Sequence, residues 1–316
     1  MKKYDLSIIV PVYNTEDYLE ECLKSLINQN IEKYEIIVVN DGSTDNSQKI
    51  IDEYVSRYRF IKKIEQRNKG LSEARNTGIS NATGKYLYFM DSDDCLEINS
   101  LGKILNLALM NDLDAVFFDA ESFCDGEYNL GILPKYDRKK EYGLFDFGED
   151  LFSEMYGNRD YFPSACLYLV KKSTIDVNRM KFMPNIIHED ELFTTTLMMR
   201  IKKCAHVKVK AFKRRVRQNS ITTTINYSKR AMGLKAVITE LASEIHNYDF
   251  YREENYVCFH SKLQDLFSAY IDTVKIGHLI FDKNIYNLAK EEKLFNWKNL
   301  IRYYLYPVYS LARKIL

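Results

Sequence analysis

Residues 87–94 read LYFMDSDD, an apolar run that stops on three carboxylates within four positions: Asp91, Asp93 and Asp94. A run of this kind is the end of a buried strand opening onto a polar rim. Carboxylates packed so closely repel one another unless a cation lies among them. Hard divalent cations such as Mn²⁺ or Mg²⁺ take oxygen ligands, and need only one or two protein carboxylates when phosphates supply the rest. The three aspartates therefore suggest a metal–diphosphate site at the carboxyl end of a strand, where open α/β sheets bind their ligands. The competing assignment is a helix N-terminus, with the acids capping a helix over EINSLGKILNLAL.

Three other places carry candidate chemistry. In VVNDGSTDNS, Asp41 follows a buried strand, where a carboxylate can accept a hydrogen bond from the N–H of a base such as uracil. Gly42 permits a tight turn there, and Ser43, Thr44 and Asp45 are expected to cap the helix that follows. NKGLSEARNTGI (68–79) sets Arg75 on a short helix. Arg can grip phosphate bidentately, although a solvated surface Arg is the competing assignment. HEDELF opens a helix with the acid pair Glu189 and Asp190. A carboxylate at that position is expected to be held as the anion, and helix capping is the competing assignment. The first strand ends in PVYN, so neither a G-x-G-x-x-G dinucleotide turn nor a G-K-[ST] phosphate loop follows it.

The elements that must position these residues alternate. LSIIVPVY (6–13), EIIVVN (35–40), FIKKIEQ (60–66), KYLYFMD (85–91) and DAVFFDA (114–120) read as strands. Between them lie helical patterns at 15–29, SQKIIDEYVSRY, 71–82 and 97–110. In the first helix Thr15 is the expected N-cap, and Tyr18, Leu19, Cys22, Leu23 and Leu26 share a face. Apolar strands alternating with helices predict an α/β fold, a mostly parallel sheet flanked by helices. The pattern breaks down from about 121 to 163. It resumes with a strand at 165–173, a helix opening in 188–204 and an alternating strand at 206–218. From about 227 the spacing is helical to the end, so a mainly helical C-terminal extension is expected. The division is then 1–120, 121–226 and 227–316.

The 316 residues carry a formal net charge of +1, which argues against a general nucleic-acid binder. Six cysteines lie far apart without zinc spacing, as reduced thiols do. No signal peptide and no apolar run of membrane-spanning length is evident, so a cytoplasmic location is expected. The last segment, WKNLIRYYLYPVYSLARKIL (297–316), is aromatic and basic without an acid. It suits either peripheral contact with an anionic membrane or a terminal helix packed on the core, with Pro307 splitting any helix.

SIIVPVYNTEDYLEECLKSLINQ, EIIVVNDGSTDNS, NKGLSEARNTGI and GKYLYFMDSDD, in this order and spacing, closely resemble the family 2 glycosyltransferases of GT-A fold. IHEDELF (187–193) and RRVRQNSIT (214–222) are similar to the family's acid pair and its Y-R-x-R-x-x-S-I-T segment. The resemblance implies an inverting transfer of a sugar from a nucleotide sugar, UDP-linked by preference, to a saccharide hydroxyl, with Mn²⁺ or Mg²⁺ as cofactor. It implies donor contacts at Pro11, Val12, Tyr13, Asp41, Asn68, Arg75, Asp91 and Ser92. It further implies the metal on Asp93, the catalytic base at Asp190, and acceptor contacts at Glu189 and Arg217. Bacterial members commonly use lipid-linked acceptors in surface polysaccharide synthesis, which would suit a peripheral membrane position. Two departures stand out. Lys213 and Arg214 replace aromatics before R-x-R, which would put positive charge on the acceptor wall, and the Q-x-x-R-W motif of processive members is missing, which implies addition of single sugars. The competing functions are a sugar nucleotidyltransferase, which would be expected to carry a glycine-rich basic loop after strand one, and a non-catalytic sugar-nucleotide binder.

Overall fold

The computed structural model describes residues 4–125, 133–217 and 226–306. The first half alternates as the apolar pattern requires: β1 (Tyr4–Val12), α1 (Glu16–Ile27), β2 (Tyr34–Asn40), α2 (Ser47–Arg57), β3 (Ile61–Glu65), α3 (Leu71–Asn81) and β4 (Gly84–Phe89). A two-residue strand, β5 (Cys95–Leu96), then precedes α4 (Ser100–Met110) and β6 (Ala115–Cys124). The region where the sequence pattern fades holds β7 (Gly143–Phe145) and α5 (Gly148–Gly157). It is followed by β8 (Tyr168–Lys171), α6 (Lys172–Val177), α7 (Glu189–Arg200) and the long β9 (Cys204–Val216). The helical extension comprises α8 (Tyr227–His246), α9 (Glu253–Ile276), α10 (Lys283–Glu291) and α11 (Trp297–Tyr304).

One sheet runs in the order β3-β2-β1-β4-β8-β6-β9-β5, with β7 on β9. Strands β3, β2, β1 and β4 are mutually parallel, whereas β8 is antiparallel to both neighbours. Alternate side chains feed two cores. Leu6, Ile8, Val10, Tyr86 and Tyr88 pack with α1, α2 and α4. Ile9, Ile37, Leu87 and Phe89 pack with α3, α5, α7 and the C-terminal helices. That second core runs unbroken from Ile9 to Leu294, so the helical extension is continuous with the sheet's own interior.

Close approach sets the position of α3. A Cβ on Gly78 would lie 2.2 Å from Ile9 Cγ2, so only glycine lets this helix settle directly on β1. Farther down the sheet, Glu35 is fully buried and accepts hydrogen bonds from Ser7, Lys62 and both the amide and hydroxyl of Thr83. Burial alone would raise its pKa, but these donors outweigh it and hold the carboxyl below its ordinary value. Thr15 differs from expectation. It stands at the N-cap of α1 but does not cap it, because its hydroxyl donates to Ser92 Oγ at 3.0 Å. At α2 the N-cap position is Asn46, which makes no side-chain cap bond, and of the three expected residues Asp45 accepts from the amide of Ser47 and also from that of Glu16.

Candidate functional site

The carboxyl ends of β2, β1 and β4 lie side by side, and the segments that leave them form the site. Pro11 and Val12 are buried at the end of β1, and Tyr13 is exposed just beyond. Asp41 leaves β2 and is only 3% exposed. One of its carboxylate oxygens accepts from Gln66 Nε2 at 2.7 Å and Lys69 N at 2.8 Å, and the other from Gly70 N at 2.8 Å. Asp41 therefore shapes the loop ahead of α3. With about four lone-pair directions on a carboxylate, one is left for an imide N–H. Gly42 turns with φ +75°, and Asn68 is exposed on the facing loop.

Arg75, expected to grip phosphate, is buried at 1% exposure and joins the two acidic motifs. Its Nη2 donates to Asp91 Oδ1 at 2.9 Å, and its Nη1 to Glu189 Oε1 at 3.0 Å and Asp190 Oδ1 at 2.7 Å. Its guanidinium also lies 5.0 Å from the centre of the Phe182 ring. Three carboxylates from two motifs far apart in sequence thus share one cation. We expect Arg75→Ala to lower stability by about 3 kcal/mol, because it leaves partly buried acids uncompensated. Arg75→Lys should not restore it, since an ammonium cannot fork across three carboxylates. Thermal melting of the ligand-free protein checks both variants, and a wild-type melting curve for Arg75→Lys would refute the clamp.

Asp190 is the second residue of α7, but its carboxylate turns back from the helix. Oδ2 accepts from Ala165 N at 3.1 Å while Oδ1 holds Arg75. A helix N-terminus favours the anion, but burial, with the Asp91 charge, outweighs Arg75 and pushes its pKa upward. Burial and the neighbouring Asp190 push Glu189 up to about 7. His188 precedes them in left-handed backbone with φ +74°, and burial lowers its pKa. The loop is backed by α8, where a Cβ on Gly233 would lie 2.3 Å from the Ile187 carbonyl oxygen.

The DSDD turn divides its acids. Ser92, expected among the donor contacts, is buried against Thr15. Asp94 is turned inward at 6% exposure and accepts from Arg215 N at 2.6 Å, so it shapes the turn rather than facing a ligand. Asp91 and Asp93 stay partly open, with side chains 34% and 27% exposed. Burial and the Asp91 charge raise the pKa of Asp93 against the pull of Arg217. Arg217 was expected on the acceptor side. Its Nε and Nη2 both donate to Asp93 Oδ2, at 3.1 and 2.9 Å, and its guanidinium lies over Tyr18. The reason is the path of β9, which pairs with β5 and runs beside the turn.

Sequence reasoning missed Arg215. It fastens the turn through its backbone N–H on Asp94 and its Nε on the Asp93 carbonyl, and braces it against Glu21 and Asp125. The R-x-R spacing was the available signal. Lys213 and Arg214 do not form a free basic wall, because Lys213 pairs with Glu97 and Arg214 with the Tyr136 hydroxyl. The remainder of that motif, 218–222, lies outside the described residues.

Among the described residues no three His, Cys, Asp or Glu side chains converge into a metal cage. Asp91 and Asp93 offer hard oxygen donors, which fits a Mg²⁺ or Mn²⁺ that takes its other ligands from a diphosphate and water.

Residues 7–174 match the family described as Glycosyl transferase family 2. An uncharacterized glycosyltransferase, YibD of Escherichia coli, is 30% identical over 75% of this chain and 70% of its own. The poly(ribitol-phosphate) beta-N-acetylglucosaminyltransferase TarP of Staphylococcus aureus is 30% identical over 64% of this chain and 59% of its own. Among solved structures, S. aureus TarS 1-349 in complex with UDP-GlcNAc superimposes with a TM-score of 0.69 at 18% identity, covering 94% of this chain and 89% of that one. The sheet order, the convergence of the two acidic motifs and the sequence match over more than half the chain agree: the chain belongs to the family 2 glycosyltransferases.

Proposed function

We propose that this glycosyltransferase moves one sugar from a UDP-linked donor to a hydroxyl of a lipid-carried saccharide, with inversion, in bacterial surface polysaccharide synthesis. The observation that carries this reading is the Arg75 clamp, which holds Asp91 of the donor side beside Glu189 and Asp190. UDP-GlcNAc bound to the TarS fold and the polymeric acceptor in the name of TarP support the substrate classes.

Asp190 is the base. Among the described residues each of its oxygens accepts one hydrogen bond, from Arg75 or from Ala165, which leaves a lone pair on each, and its raised pKa brings it closer to a working pH, as a general base requires. Glu189 positions the acceptor, and Asp93, with Asp91 beside it, holds the cation. A divalent ion bound there neutralises charge developing on the diphosphate leaving group. Asp41 receives the base, and Pro11, Val12 and Tyr13 wall the nucleoside. In-line attack by the acceptor oxygen breaks the anomeric carbon–diphosphate bond, Asp190 takes the hydroxyl proton, and an α-linked donor gives a β-linked product.

The test is release of nucleoside diphosphate from UDP-sugars with Mn²⁺ or Mg²⁺, with EDTA as control. Release that EDTA abolishes is expected. Ligand-dependent melting without release would assign a non-catalytic binder, and pyrophosphate formed from a nucleoside triphosphate would assign a nucleotidyltransferase.

A further inference from the structure

The extension ends in a face that the transfer reaction does not use. Helix α11 is fixed on one side by Asn299, which is fully buried. Its side chain accepts from Ser268 Oγ at 2.5 Å and donates to the Leu294 carbonyl at 3.0 Å. Tyr303 packs beside it against Phe281, with ring centres 4.8 Å apart. The opposite side carries Trp297, Leu300 and Tyr304, spaced three and four apart and therefore on one face. They are 67%, 41% and 62% exposed, and Leu305 beyond them is 53% exposed. Between this face and α10 lies a concavity of about 320 Å³, lined by Tyr286, Lys290, Lys293, Phe295, Leu300 and Tyr304.

Charge decides what this surface fits. Over the whole chain 45 basic residues face 44 acidic ones, but residues 283–306 hold five basic residues (Lys283, Lys290, Lys293, Lys298, Arg302) against Glu291 and Glu292, and of the five Arg302 pairs with Asp272. Many lysines elsewhere are ion-paired, such as Lys62, Lys171, Lys213 and Lys262. By contrast Lys290 lies over the Tyr286 ring at 4.7 Å and Lys298 over Trp297 at 5.6 Å. Exposed Trp and Tyr at one level, an aliphatic residue between them and cations around a cup are the parts of an interfacial anchor.

We infer that the α10–α11 face docks on an anionic bilayer, with one lipid phosphate seated between Lys290 and Lys293 and with Trp297, Leu300, Tyr304 and Leu305 entering the headgroup layer. This deepens the membrane reading of residues 297–316, whose last ten lie outside the described residues. It moves the phosphate contact from the tail itself to lysines of the preceding helix and loop, and it rests on a lipid-carried acceptor being met at the membrane.

Vesicle sedimentation at low salt tests it, using the full chain with phosphatidylglycerol/phosphatidylcholine vesicles and with phosphatidylcholine alone. The wild type should bind the anionic vesicles only. Near an anionic surface each cation is worth about 1 kcal/mol, roughly five-fold, so Lys290→Gln with Lys293→Gln should weaken binding about 25-fold. Trp297→Ala with Tyr304→Ala should weaken it as well. Both double variants should keep the wild-type melting temperature and nucleoside diphosphate release in solution. If the lysine variant binds like wild type while the aromatic variant is lost, the phosphate cup is refuted and the membrane reading stands. If the wild type ignores anionic vesicles, or forms a dimer that Leu300→Glu dissolves, the membrane reading itself fails and a second copy covers the face.

Discussion

Asp190→Asn is expected to lower turnover by about 10²–10⁴-fold while leaving affinity for the nucleotide sugar unchanged, the range that a general base contributes. The geometry makes the variant informative. Asp190 receives a hydrogen bond on each carboxylate oxygen, from Arg75 Nη1 and from Ala165 N. An asparagine can accept only one of these, and its amide must then confront the other donor. It also loses the site that takes the acceptor proton. Donor contacts at Asp41 and the β1 turn lie on other elements and are untouched. Isothermal titration with the donor, paired with nucleoside diphosphate release, separates the outcomes. Weaker donor binding with undiminished turnover would make Asp190 a structural member of the Arg75 clamp and place the base elsewhere.

The first half of the fold was legible because β1, β2 and β4 are largely apolar on both faces and its helices keep a 3.6-residue period, so β1 to β4 fall within a residue or two of their expected bounds. β5 escaped notice because two residues carry no periodicity. β7 and α5 lie where Gly, Tyr, Asp and Lys dilute the pattern, and tertiary packing rather than local propensity defines them. Side-chain partners were the least visible layer. Which carboxylate an arginine meets depends on where distant strands end, so Arg75 read as a phosphate ligand and Arg217 as an acceptor contact. Both lie on acids in the ligand-free chain. Burial explains the reversed sign at Asp190. A helix N-terminus favours the anion, but desolvation beside Asp91 is the larger effect here.

Those ion pairs sharpen what is expected of Asp93→Ala, which should abolish transfer and remove metal-dependent donor binding together. Asp93 is the partly open carboxylate of the turn that Arg75 does not hold, and among the described residues its side chain is held by Arg217. Deleting it removes a hard oxygen ligand and also frees the guanidinium, so activity alone cannot separate the two effects. Melting in the presence of UDP and Mn²⁺ can. A ligand at a hundred times its Kd stabilises a protein by about 2.7 kcal/mol, which should raise the wild-type melting temperature by several degrees. Asp93→Ala should show no such rise with Mn²⁺ present. Arg217→Gln keeps the carboxylate and should retain the rise, because the cation then no longer shares Asp93 with a guanidinium. If Asp93→Ala melts like wild type with UDP and Mn²⁺, or if transfer proceeds fully in EDTA, the cation is not on Asp93, and Arg217 becomes the group that answers the diphosphate charge.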